Sequence, residues 1–170
     1  MKFNASLVAL ALAAAIATAV PVEAAVDHAV VGQPAPAFNL PGVAGKVNLA
    51  ALRGKVVYLD FWASWCAPCK ESFPWLNEMQ AKYGASGFAV VAVNVDAKPA
   101  DAEGFLSQVP AKFTLAFDPN GETPGRYQAK GMPSSFLIDR DGRIVSAHTG
   151  FRADQKVALE GKIRHTLGMQ

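Results

Sequence analysis

The chain has 170 residues and a formal net charge of +2, which suits one domain with a targeting segment. Its lysines and arginines are interspersed with acids and form no cluster that could track a phosphate backbone, so nucleic acid is a poor candidate ligand. The two cysteines stand three positions apart; a loop that short restricts the unfolded chain little, so the pair reads as chemistry rather than reinforcement.

The chain starts with the pattern of an export signal. Lys2 supplies a positive charge, Leu7 to Val20 is an apolar run of Ala, Leu and Val, and Val22-Glu23-Ala24 offers the small residues a signal peptidase reads. Residues 1 to 25 are therefore expected to be a cleaved signal peptide, with cleavage after Ala24 or Ala25. The alternative is an uncleaved anchor, but the apolar run is about 14 residues where a span takes roughly 20. The expectation is a soluble, monomeric, periplasmic domain over residues 26 to 170.

That domain opens with a lead-in rich in Gly, Pro and Ala, with an extended piece at Ala37 to Leu40 and a helical turn at Val47 to Leu52. Lys55 to Trp62 (KVVYLDFW) is a nearly unbroken run of strand formers, the pattern of a strand buried on both faces. Ala67 to Tyr83 reads as a helix with Phe73, Leu76, Met79 and Tyr83 at helical spacing, closed by Gly84 and Gly87. Gly87 to Val95 is a second buried strand. Pro99 to Gln108 is a helix with proline in its first turn, and Phe113 to Phe117 is a third strand. A turn at 118 to 121 leads to a short helix ending near Tyr127. Ser134 to Asp139 and Arg143 to His148 form a hairpin around Asp141-Gly142, and Ala153 to Leu167 is a closing amphipathic helix. Strands alternating with helices and then a hairpin predict an α/β domain with a mixed central sheet flanked by helices on both faces.

The chemistry lies in Trp65-Cys66-Ala67-Pro68-Cys69-Lys70, at the junction of a buried strand and a helix. A helix N-terminus presents unpaired N–H groups and the positive end of the macrodipole. A Cys66 thiolate is stabilised there, which lowers the thiol pKa. Cys66 is then the exposed attacking sulfur, and Cys69, one turn in, resolves the mixed disulfide. A zinc site is the weaker alternative: there is no second cysteine pair, and His28, His148 and His165 are far apart. Asp60 interrupts an apolar strand six positions before Cys66, and a buried carboxylate is costly without a partner or a purpose.

Residues 55 to 74 (KVVYLDFWASWCAPCKESFP) resemble the active-site stretch of the thioredoxin superfamily. More narrowly, the chain resembles its exported TlpA/ResA/CcmG-like members. The resemblance rests on Gly32 to Leu40 with the following Leu-x-x-Leu-x-Gly-Lys run, on Val93-Asn94-Val95, and on Met132-Pro133-Ser134-Ser135-Phe136-Leu137-Ile138-Asp139. It implies a thioredoxin fold with an N-terminal extension and the activity of a protein-disulfide reductase, as in cytochrome c maturation. Pro133 matches the family's cis-proline, Pro74 its helix-bending proline, and Asp60 the proton acceptor for the buried cysteine, here Cys69. Trp65, Met132 and Pro133 are implied to contact substrate, the Met132 backbone by pairing with an extended strand. No cofactor is implied, since no G-x-G-x-x-G follows a strand; electrons are expected from a membrane-bound thiol reductant. Many of these relatives carry Asn at the position of Asp60, and some a Glu just after the Val-Asn-Val strand, where this chain has Asp96 and Ala97.

Two other readings remain open. A thiol peroxidase shares the lead-in, and Ser64 lies two before Cys66, but no proline precedes it in that strand. A copper-site metallochaperone fits less well, because the loop before Pro133 offers no histidine. Ala-Pro between the cysteines, with no His there, favours the reducing direction.

Overall fold

The chain builds its sheet around two apolar strands that nothing in the sequence allows to face water. The computed structural model describes residues 29–170. The expected signal peptide, and His28, lie outside the described residues. The strands are β1 (Asn39–Gly42), β2 (Gly45–Asn48), β3 (Val56–Trp62), β4 (Phe88–Asn94), β5 (Thr114–Phe117), β6 (Ser134–Ile138) and β7 (Ile144–Thr149). The helices are α1 (Ala67–Tyr83), α2 (Pro99–Gln108), α3 (Glu122–Arg126) and α4 (Lys156–Leu167). One seven-stranded sheet runs in the order β2-β1-β5-β4-β3-β6-β7. β3, β4 and β5 are mutually parallel, joined through α1 and α2, while β6 and β7 return antiparallel on one side. The sheet is therefore mixed, as expected.

All seven residues of β3 are buried, because the strand alternates between two packed faces. Val56, Tyr58 and Trp62 face a core shared with α1, α2 and α4, including Phe73, Leu76, Phe105, Leu159 and Ile163. Val57, Leu59 and Phe61 face a second core with Phe38, Leu49, Tyr127, Phe136 and Ile138. The lead-in segment and the turn after α3 cover that second face. Trp62 packs against Phe73 and Phe105 at centroid distances of 4.9 and 4.8 Å, which locks the first turns of α1 to α2 and the sheet.

The lead-in differs from expectation. The strand expected at Ala37 to Leu40 starts two residues later as β1, which folds into a β1–β2 hairpin and pairs antiparallel with β5 through Gly42 and Ala116. Gly42 has to be glycine there, since a Cβ would lie 2.7 Å from the Leu115 carbonyl oxygen. The expected helical turn at Val47 to Leu52 is a 3-10 turn over Leu49–Leu52, with Asn48 Oδ1 accepting the Ala50 N–H at 2.8 Å. The last helix starts at Lys156, after a separate 3-10 turn at Ala153–Gln155. No helix among the described residues is long and apolar enough to cross a membrane.

Candidate active site

β3 ends at Trp62, and three residues later the chain enters α1 through Cys66, the N-cap residue of that helix. Pro68 lies in the first turn, where no N–H is missed. Cys66 and Cys69 are joined as a disulfide, with Cα atoms 5.3 Å apart. Cys66 Sγ also accepts the Cys69 backbone N–H at 3.2 Å. That N–H is one of the orphan donors of the helix start, so a Cys66 thiolate has a fixed donor and the positive end of α1 to hold it. Cys66 was expected to be exposed, and the structure corrects this: it is 3% exposed and Cys69 is fully buried. The bond to Cys69 holds the Cys66 sulfur against the first turn of the helix.

The loop ahead of the cysteines is clamped. Asp96, at the end of the chain leaving β4, accepts the Ser64 N–H at 2.9 Å and the Ser64 hydroxyl at 3.0 Å. Asn94 Nδ2 donates to the same carboxylate at 2.8 Å, and Asn94 Oδ1 accepts the Asp96 N–H at 3.0 Å. The Ser64 hydroxyl is thereby committed to Asp96. Trp65, between Ser64 and Cys66, projects outward and is 71% exposed.

Asp60 sits two residues from both Tyr58 and Trp62 on β3. Alternation therefore places it on the face whose core includes Cys66 and Cys69. It is 1% exposed. Its Oδ1 accepts a hydrogen bond from Ser135 Oγ at 2.6 Å, and Oδ2 has no partner among the described residues. Burial pushes its pKa up to about 7, with the Ser135 hydrogen bond opposing. The Tyr58 phenol is raised as well, first by burial and then by the Asp60 charge. An acid this placed takes and releases a proton near neutral pH.

The Met132–Pro133 peptide bond is cis. Ser134 pairs with Phe61, so the Met132–Pro133 loop lies at the end of β3 from which the cysteine loop departs. Met132 packs against the core that holds both cysteines. The loop is held by Ser134 Oγ donating to the Gly131 carbonyl at 2.7 Å and by the Gly150 N–H donating to the Pro133 carbonyl at 2.8 Å. No backbone hydrogen bond among the described residues engages Met132, which leaves that stretch available to an incoming strand.

The sequence thus names Cys66, Cys69, Asp60, Met132, Pro133 and Trp65, and the fold gathers them at one end of the central strands. α1 continues through Pro74 without a break, and Lys70 is solvent-exposed. Trp62 belongs to the core. Sequence reasoning missed three contributors. Asp96 was noted only for failing to match a family glutamate. Ser135 is one of two serines that open β6, and period-two alternation with Leu137 is the signal that puts it on the Asp60 face. His148 stands in the sequence only as one of three scattered histidines, yet it is half-buried with Nε2 enclosed.

Three comparisons bear on the chain. A sequence profile of the Redoxin family matches residues 30–160. The thiol-disulfide oxidoreductase ResA of Bacillus cereus is 35% identical over 135 residues, covering 79% of this chain and 77% of that protein. ResA of Bacillus subtilis is 32% identical over 127 residues, covering 74% and 71%. Among solved structures, a Chlorobium tepidum protein described as a thiol:disulfide interchange protein DsbE is 61% identical. It covers 82% of this chain and 99% of its own, with a TM-score of 0.81.

Proposed function

The chain belongs to the Redoxin family and, within the thioredoxin superfamily, to the ResA/CcmG-like thiol–disulfide oxidoreductases, and from that premise we propose that it reduces protein disulfides in the periplasm. The observation that carries this reading is the Cys66–Cys69 pair at the start of α1, on the same face of the sheet as the buried Asp60.

In this reading the Cys66 thiolate attacks a substrate disulfide. One substrate sulfur leaves, and the other is bonded to Cys66. Cys69 then attacks Cys66 Sγ, closing the protein disulfide and releasing the second substrate sulfur. Asp60 accepts the Cys69 proton, which a buried thiol cannot give directly to water. The Met132 backbone pairs with the substrate strand, and Trp65 covers its exposed side. A membrane-bound thiol donor restores the dithiol. Export is supported by the residue pattern from Lys2 to Ala25, which makes residues 26 to 170 the mature domain. Cysteines of apocytochrome c are the substrate class this group of relatives suggests.

The test is the reduction potential of the Cys66–Cys69 pair, equilibrated against dithiothreitol and read through Trp65 fluorescence. A value near or below about −250 mV supports the reductant; one near about −150 mV or above assigns an oxidant or isomerase instead.

A further inference from the structure

Asp60 is enclosed, so a proton taken from Cys69 needs a way out. The register of the sheet supplies one. Asp60 pairs with Ser135 across β3 and β6, and Ser135 pairs with His148 across β6 and β7. Residues directly opposite on neighbouring strands share a face. Asp60, Ser135 and His148 therefore form one row running from the middle of the sheet to its edge strand. The inner link is already made, with Ser135 Oγ donating to Asp60 Oδ1 at 2.6 Å. At the outer end His148 is half-buried, and its Nε2 is enclosed without a hydrogen-bond partner among the described residues.

Unpaired buried polar atoms are rare, and each calls for an explanation. Three such side-chain atoms occur among the described residues: Asp60 Oδ2, Trp62 Nε1 and His148 Nε2. All lie on the same face, in this row or on the next inward-facing residue of β3. A packing role for His148 leaves its nitrogen unexplained; a proton-transfer role accounts for it.

We propose that Ser135 and His148 relay protons between Asp60 and solvent. The proposal rests on the Cys66–Cys69–Asp60 reading given above. As Cys69 closes the disulfide, its S–H bond breaks and an O–H bond forms on the Asp60 carboxylate. The Ser135 hydroxyl, which donates to Asp60 at rest, turns to give its proton to His148 Nε2 and takes the proton of the acid on Oγ. The imidazolium loses its Nδ1 proton to water, since Nε2 is enclosed, and a turn of the ring or exchange through water moves the remaining proton back to Nδ1, which returns all three groups to their starting state. No electrons move in these steps. Across antiparallel partners the side chains start about 5 Å apart, within reach of an imidazole that turns about its side-chain bonds, and imidazole exchanges protons with water readily near neutral pH.

The other ionisable groups near the row are few. Tyr58 on β3 and the two cysteines of α1 share the face with Asp60, and β4 presents Ala92 beside it. On the α4 side, Lys162 and His165 border the cleft over Leu137 and Ser146, and Lys156 lies over the Phe151 ring.

The test is stopped-flow oxidation of the reduced protein by insulin disulfides, followed by tryptophan fluorescence between pH 5.5 and 8. Ser135→Ala and His148→Ala are each expected to slow disulfide closure about tenfold or more. Ser135→Thr, which keeps the hydroxyl, is expected to recover the rate, and added imidazole is expected to recover it in His148→Ala. Unchanged rates in Ser135→Ala and His148→Ala, with Asp60→Asn slow, overturn the relay and leave the role of Asp60 standing. A loss in His148→Ala that imidazole does not restore assigns that residue to structure and also overturns it. An Asp60→Asn variant as fast as the parent removes the reading on which the relay depends.

Discussion

Ser64 is held by Asp96 through two hydrogen bonds, one from its backbone N–H and one from its hydroxyl. The chain at Ser64 leads through Trp65 to Cys66, so this clamp fixes the approach to the attacking sulfur from a different strand. Hydrogen bonds to a charged acceptor are each worth about 1.5–3 kcal/mol, and cutting these leaves two part-buried donors of Ser64 unpaired. Asp96→Ala is therefore expected to lower stability by on the order of 3 kcal/mol in urea unfolding, and Asp96→Asn by about half as much. Insulin reduction should slow in the same order. A stable Asp96→Ala variant with full activity would show that the loop holds its shape without the clamp.

The buried carboxyl gives a second prediction, on stability. Asp60 is pushed from 3.8 to about 7. Between those values the folded chain holds a proton that the unfolded chain has lost. Stability therefore falls as pH rises from about 4 to about 7 and is level above that. A displacement of that size corresponds to on the order of 4 kcal/mol. Asp60→Asn keeps an acceptor for Ser135 and cannot ionise. It is expected to be more stable than the parent at pH 8, by a few kcal/mol, with the gain fading toward pH 4. Urea unfolding of both proteins across that range checks the sign, and a gap that does not vary with pH contradicts the assigned shift.

Much of this was legible in the residues because the signals were local. The bounds of α1 and α2 follow from apolar spacing with Pro68 and Pro99 in their first turns and Gly84 after the first helix. An acid inside an apolar strand made Asp60 conspicuous. What stayed hidden depends on partners distant in sequence. The β1–β2 hairpin has few strand formers and is held through Gly42 against β5. Which serine of β6 meets Asp60 is set by a register between residues 75 positions apart. His148 lies in a strand whose burial alternates, and only the pairing with Ser135 gives it significance. Asp96 follows a strand as any loop aspartate does, and its target is 32 positions upstream.

The aromatic cluster under the cysteines predicts a stability effect separable from the chemistry. Phe105 of α2 meets Trp62 at 4.8 Å and Phe73 at 5.1 Å, and is 4% exposed. Phe105→Ala removes a buried ring and leaves a cavity, with an expected cost of about 3–5 kcal/mol in chemical denaturation. Phe105→Leu should recover much of that. The potential of the cysteine pair is expected to shift far less than the stability, since Phe105 lies behind Trp62 and Phe73.

Trp65 should behave in the opposite way. With 71% of it exposed, Trp65→Ala is expected to change stability by no more than about 0.5 kcal/mol. If Trp65 covers a bound substrate strand, the same change raises KM for a protein disulfide more than it lowers kcat. An unchanged KM would remove Trp65 from the substrate surface.

The division of labour between the two sulfurs has the sharpest consequence. Cys66 stands at the N-cap with the helix donor on its Sγ and keeps 3% exposure, while Cys69, one turn in, has none. Attack on a substrate can then start only from Cys66, and release requires Cys69. Cys69→Ser is expected to accumulate a mixed disulfide with a protein substrate, visible as a band on non-reducing gels that dithiothreitol removes. Cys66→Ser is expected to trap little, because the remaining thiol lacks both access and a donor. Equal trapping by the two variants would mean that α1 opens enough to expose Cys69, and the order of the two sulfurs would have to be revised. The trapped complex also offers a direct route to the substrate, since the protein bound to Cys66 is the one whose disulfide this chain exchanges.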